Sequence, residues 1–151
     1  MEATINSKYK DAIAELNNLI ELDYDAVAAY ESAIKRLESS TYKAKLNEFL
    51  KDHRRHITNL TTAVRELGGS PADGADLKKI LTQGKVVIAD LVGDDITILK
   101  AMKLNEDVTN LKYEQALKKF SDLDQLGTLL AGHLEDERRH RAWILATLPK
   151  E

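Results

Sequence analysis

Two short stretches, His53-Arg54-Arg55-His56 and Glu137-Arg138-Arg139-His140, each set metal-ligating side chains three residues apart within strongly helical sequence. Residues at i and i+3 share one helix face, so each pair can aim at a common point from a single backbone. Imidazole and carboxylate suit divalent transition metals. The chain has no cysteine, which excludes thiolate zinc sites, iron–sulfur clusters and a cysteine nucleophile. The remaining question is which other elements must carry ligands to that point.

A chain of 151 residues is expected to form one domain, residues 1–151, with a substantial core. Charged residues make up 31% of it, yet the net charge is only −3, so both signs are interspersed. No basic field is available for a phosphate backbone, and nucleic acid is not an expected partner. No apolar run approaches the roughly 20 residues that span a bilayer, and Met1 to Lys10 lacks a hydrophobic signal core. The expectation is a cytoplasmic protein with no membrane partner.

Pro71 and Pro149 are the only prolines, which leaves long segments rich in Ala, Leu, Lys and Glu: an all-α composition. Apolar periodicity predicts a first helix over about Asn6 to Glu38, with Ile13, Leu16, Ile20, Val27, Tyr30, Ile34 and Leu37 on its seam and Asp23 interrupting it. Ser39, Ser40 and Thr41 supply a turn and N-cap for a second helix, about Tyr42 to Leu67, with seam Leu46, Phe49, His53, His56, Leu60, Ala63 and Leu67. Leu67-Gly68-Gly69-Ser70-Pro71 is a helix stop. A long connection follows, in which Leu77, Ile80, Leu81, Val87, Ile88 and Leu91 predict short helix between Asp76 and Leu91. Gly93-Asp94-Asp95 caps a third helix, about Asp95 to Phe120, with seam Leu99, Met102, Glu106, Thr109, Tyr113, Ala116 and Phe120. Ser121 with Asp124 resembles a capping box for a fourth, about Asp122 to Thr147, with seam Leu126, Leu130, His133, Glu137, His140 and Ile144.

The two halves repeat. Asp23 to Tyr30 matches Glu106 to Tyr113 in spacing, and the two arginine-containing motifs lie about 84 residues apart. Two helical hairpins joined by a long crossover give an up-down-down-up bundle. At about 1.5 Å of rise per residue, Asp23 meets His53 and His56 at one level, and Glu106 meets Glu137 and His140 at another. The repeat makes the two levels coincide, so six ligand-type side chains face one another in mid-bundle. Burying them uncompensated would cost several kcal/mol per charged group. A divalent metal offsets that cost, with mutual hydrogen bonding of three acids and three imidazoles as the alternative.

This pattern resembles the ferritin-like superfamily of di-iron carboxylate four-helix bundles, the group of bacterioferritins and rubrerythrins. Its carriers are the acid-to-tyrosine spacings, the two ligand pairs, the Gly68-Gly69-Ser70-Pro71 stop and Trp143 one turn after His140. In overall look the chain is similar to small bacterial ferritin-like bundles associated with stress. The resemblance implies Asp23 and Glu106 as lone acids, Glu137 with His140 as an intact pair, and His53 with His56 as an altered pair. It implies iron as cofactor, two ions, with manganese and zinc made credible by three imidazoles. It further implies O2 or H2O2 as reactant and ferroxidase- or peroxidase-type oxidoreductase chemistry in stress protection or iron handling.

His53 stands where a family Glu bridges both metals, and one imidazole lone pair cannot bridge in that way. A mononuclear site and a dinuclear one bridged by Glu137 and solvent oxygen both stay open. Arg54 and Arg55 stand where bacterioferritins carry a haem-ligating Met. Tyr30 and Tyr113 are expected to bond to neighbouring acids, His133 to be an ordinary half-buried histidine, with a spare ligand or a polar access gate as alternatives, and Asp25 to substitute for Asp23 if that residue points outward. The arginines are expected on solvated faces, pairing with acids such as Glu48 and Asp136. A non-enzymatic bundle, with a homodimer as candidate assembly and a structural metal or none, is the competing class.

Overall fold

The computed structural model describes residues 2–74 and 93–150, without the side chains of residues 2–6 and Asp124. Four helices account for nearly all of them: α1 (Glu2–Arg36), α2 (Ser40–Glu66), α3 (Asp95–Phe120) and α4 (Asp124–Thr147). The helix expected between Asp76 and Leu91 lies outside the described residues.

Local chemistry sets the helix ends. The Ser39 hydroxyl accepts from the Tyr42 amide at 3.2 Å, capping α2. Asp95, at the start of α3, accepts from the Glu38 and Ser39 amides at 2.8 and 2.9 Å and thereby ties the α1–α2 turn to the second hairpin. At the other end of α2, Gly68 takes φ +88°, the left-handed conformation that glycine adopts at least cost. Its amide donates to Arg65 O and that of Gly69 to Val64 O, the paired bonds of a Schellman stop. Asp94 caps α3 by accepting from the Thr97 amide at 3.0 Å.

The fourth helix departs from expectation. Its N-cap is Leu123, with no side-chain cap bond, so the cap falls two residues after the Ser121 that the capping pattern points to. The chain instead turns through residues 121–123, held by the Leu123 amide on Phe120 O at 3.0 Å. Gly127 permits this tight turn, since a Cβ there would lie 2.7 Å from Ser121 O.

Paired cross-helix bonds fix the directions. Partners run in opposite senses from Tyr30–Glu106 to Asp23–Tyr113 on α1 and α3, from Asp52–His140 to His56–Asp136 on α2 and α4, and from Asp107–Arg141 to Thr109–Glu137 on α3 and α4, while the short turn after Arg36 makes α1 and α2 antiparallel. The result is an up-down-down-up bundle. Its core is divided in two: one apolar cluster is built around Leu16, Leu60, Phe120 and Leu130, the other around Leu37, Leu46, Leu99 and Ile144. The polar layer sits between them.

Candidate metal centre

Each helix brings its polar seam residues to that layer: Asp23 from α1, His53 and His56 from α2, Glu106 from α3, Glu137 and His140 from α4. All six are fully buried. Their ligand atoms form two overlapping groups, Asp23, His53, His56 and Glu137 in one, His53, Glu106, Glu137 and His140 in the other.

Three of four separations within the first group are alike, and the fourth is a hydrogen-bond contact. His56 Nδ1 lies 3.4 Å from both Asp23 Oδ1 and Glu137 Oε1, and His53 Nδ1 lies 3.4 Å from Glu137 Oε1 and 2.7 Å from Asp23 Oδ1. In the second, Glu106 Oε1 is 3.4 Å from His53 Nε2 and from His140 Nδ1, which is 3.6 Å from Glu137 Oε2. A tetrahedron with metal–ligand bonds of about 2.1 Å has edges of about 3.4 Å. Moreover, His56 Nδ1, His140 Nδ1 and Glu137 Oε1 are buried without a hydrogen-bond partner among the described residues. Buried polar atoms are rarely left in that state; His56 Nδ1 and Glu137 Oε1 belong to the first group and His140 Nδ1 to the second, so each group holds an unmet ligand atom that a metal ion would satisfy.

The far side of each outer imidazole is held. Asp136 Oδ2 accepts from His56 Nε2 at 2.9 Å, and Asp52 Oδ2 accepts from His140 Nε2 at 2.8 Å. A proton fixed on Nε2 leaves Nδ1 as the ligating nitrogen and turns it into the site. Arg55 reaches Asp52 and Asp136 at 2.8 and 2.9 Å, and Arg139 reaches the same two at 2.7 and 3.1 Å. Two of the four arginines therefore clamp the aspartates that orient the histidines, while Arg54 pairs with Glu31 at 2.7 Å. Glu48 pairs with Lys45 rather than with an arginine.

The acids are held as well. The Tyr30 hydroxyl donates to Glu106 Oε1 and the Tyr113 hydroxyl to Asp23 Oδ2. Thr109 Oγ1 lies within bonding distance of Glu137 Oε2 at 2.8 Å and Glu106 Oε2 at 3.1 Å. His133 stacks on His56 with centroids 3.9 Å apart. Since Tyr113 gives its proton to Asp23, it accepts from His133 Nδ1 at 3.3 Å, which leaves His133 Nε2 to accept from the Asn59 amide at 3.3 Å. Asp25 stands apart from both groups, lining a groove between α1 and α3 with Glu15, Glu21 and Lys112.

Without an ion, charge balance within the layer controls protonation. Burial opposes charge on His56 and His140, but Asp136 and Asp52 together with the core carboxylates outweigh it, raising them to about 10 and about 9. His53 is likewise raised well above its ordinary value against burial, by Glu137, Asp23 and Glu106. Burial would raise Asp23, yet His53 and His56 draw it down to about 2; Glu106 is lowered in the same way by His140 and His53. His133 goes the other way, to about 3, through burial and the neighbouring His56 charge.

Sequence reasoning names Asp136 only as an arginine partner and misses Asp52. The signal is present: Asp52-His53-Arg54-Arg55-His56 and Asp136-Glu137-Arg138-Arg139-His140 repeat an aspartate at the same place.

A family profile described as Domain of unknown function (DUF2383) matches residues 11–119. The chain belongs to that family. The DUF2383 match takes in Asp23, His53, His56 and Glu106 and ends before Glu137 and His140. A comparison with curated proteins gave no match.

Among solved structures, a ferritin-like, diiron-carboxylate protein from Bacillus anthracis is similar over 94% of this chain and 98% of its own, with a TM-score of 0.76 at 20% identity. Dps from Thermosynechococcus elongatus gives a TM-score of 0.81 at 14% identity, covering 96% and 94%. Desulfovibrio desulfuricans bacterioferritin, described with a diiron site, gives 0.77 at 22% identity, covering 93% and 80%. At these identities the likeness establishes the fold, which is ferritin-like. No helix among the described residues is long and apolar enough to cross a membrane.

Proposed function

We propose that this protein binds transition-metal ions, two per chain and iron foremost, through Asp23, His53, His56, Glu106, Glu137 and His140, and reacts with O2 or H2O2 in iron handling or stress protection. The observation that carries the reading is the set of buried ligand atoms without a hydrogen-bond partner among the described residues, His56 Nδ1 and Glu137 Oε1 at 3.4 Å in one group and His140 Nδ1 in the other. The diiron-carboxylate description of the Bacillus anthracis protein and the diiron site of the bacterioferritin favour iron. Manganese and zinc suit the same three imidazoles.

Bound iron would supply one-electron chemistry toward oxygen or peroxide. The chain's own groups do the rest. Asp52 and Asp136 keep protons on His140 Nε2 and His56 Nε2, so both Nδ1 atoms stay aimed inward. Tyr30, Tyr113 and Thr109 hold the carboxylates of Glu106, Asp23 and Glu137 in place before any ion arrives. Full burial of all six side chains keeps bulk water out. Metal entry must displace the protons that His53, His56 and His140 carry in the metal-free layer.

A second reading, a non-enzymatic bundle with a structural metal or none, is favoured by one feature: three imidazoles raised toward the charged form face three carboxylates and offset much of their charge. Adding peroxide or oxygen to anaerobically ferrous-loaded protein separates the two. The redox reading predicts an absorbance change tied to iron content and lost in Glu137→Ala; a loaded protein that stays spectrally silent contradicts it.

A further inference from the structure

His53 occupies the shared edge of the two ligand groups, together with Glu137. The two residues share the edge differently. Glu137 turns Oε1 toward His53 Nδ1 and His56 Nδ1, each 3.4 Å away, and Oε2 toward His140 Nδ1 at 3.6 Å. Its two oxygens address the two groups separately. The His53 ring does likewise: Nδ1 lies 2.7 Å from Asp23 Oδ1, whereas Nε2 lies 3.4 Å from Glu106 Oε1. The two nitrogens point out of opposite sides of a five-membered ring and cannot serve one ion.

Packing fixes that orientation. The ring is fully buried, with Tyr30 and His140 both at a centroid separation of 5.2 Å and His56 at 5.6 Å. Rotating it would break the 2.7 Å contact of Nδ1 with Asp23 Oδ1.

We propose that His53 bridges the two metal positions as an imidazolate, with Nδ1 on the ion held by Asp23 and His56 and Nε2 on the ion held by Glu106 and His140, while Glu137 spans both. This rests on the metal-binding reading above and deepens it. No redox change is involved: the imidazolium gives up both N–H protons to solvent, and each nitrogen gains one metal bond. The lone pairs of the two ring nitrogens diverge, whereas the syn lone pairs of a carboxylate converge, so the ring holds the ions further apart than a second carboxylate or a single oxygen would. The centre is then a spaced pair, unlike two-metal sites whose ions lie about 3.5–4 Å apart.

The test uses zinc, which is redox-silent, with X-ray absorption and direct counting of bound metal on the full chain. Wild type is expected to hold about two zinc ions with imidazole scattering and without a metal–metal vector at about 3.5–4 Å. His53→Glu restores a second carboxylate bridge and is expected to show that vector, with two ions still bound. His53→Gln, checked for helicity, removes the two-sided ring and is expected to hold about one ion at matched zinc concentration. A short vector in wild type, or only one zinc in wild type, overturns the bridge while leaving metal binding standing. Binding of neither zinc nor ferrous iron by wild type overturns the metal reading itself.

Discussion

Asp52 on α2 accepts a hydrogen bond from His140 on α4 at 2.8 Å, and Asp136 on α4 accepts one from His56 on α2 at 2.9 Å. The aspartate beside each ligand pair thus orients a histidine of the other pair, and the bundle's two halves hold each other's ligands in register. Asp52→Asn and Asp136→Asn should each weaken metal binding about 10–100-fold without unfolding the bundle. Competition titration checks this: each variant should weaken one of the two binding steps, whereas a purely structural loss would lower both together with thermal stability.

The metal-free layer should respond to pH with a definite sign. His56 and His140 sit at about 10 and about 9 in the folded chain, above the ordinary 6.5. The stability they contribute is complete below about 6.5 and is lost as pH rises through those folded values. Asp23 is depressed to about 2, so its contribution is present above its ordinary 3.8 and lost as pH falls through the folded value. Metal-free protein should therefore be more stable at pH 6 than at pH 10 in urea titrations, while the extra stability conferred by metal should grow over the same range. A metal-free chain more stable at pH 10 than at pH 6 would show that the histidines are buried neutral.

Removing one member of the layer should expose how tightly it is balanced. His53→Leu leaves Asp23 and Glu106 facing each other without the imidazole between them. The expected loss is about 3–5 kcal/mol in the metal-free protein, read by denaturant unfolding. A loss below about 1 kcal/mol would mean that the layer relaxes or takes up water.

Glycine positions separate backbone roles from space. Gly132 lies in α4, where a Cβ would meet nothing within 4 Å, so Gly132→Ala should raise stability by about 0.4–1 kcal/mol. At Gly69 a Cβ would lie 2.6 Å from Ile13 Cγ2 and 3.1 Å from Val64 Cγ1, and Gly69→Ala should cost about 1–3 kcal/mol as α1 and α2 are pushed apart. Thermal unfolding of the pair should move in opposite directions.

Much of this is legible in the sequence for physical reasons. Asp94 and Phe120 bound α3 where a capping acid and the end of an apolar seam predict, and Leu99, Met102, Glu106, Thr109, Tyr113 and Ala116 are all buried along it. Asp23 can be placed opposite His53 because helical rise converts residue offsets into heights. The start of α4 misleads because the capping pattern points to Ser121 as N-cap, whereas the chain turns through residues 121–123 and Leu123 takes that place. The role of Asp52 is hidden because a residue beside a ligand lies off the seam, where charge reads as solvated surface. The direction of the His53 ring nitrogens depends on a side-chain torsion set by its neighbours, which spacing alone does not carry.

Metal content tests the account most directly. Elemental mass spectrometry of protein purified without added metal, with His53→Ala and Glu137→Ala alongside, should find about two ions per wild-type chain and about one or fewer in both variants. Wild-type protein that holds no metal, and takes up none after anaerobic ferrous loading, would contradict it and leave a ferritin-like bundle whose buried acids and histidines only balance one another.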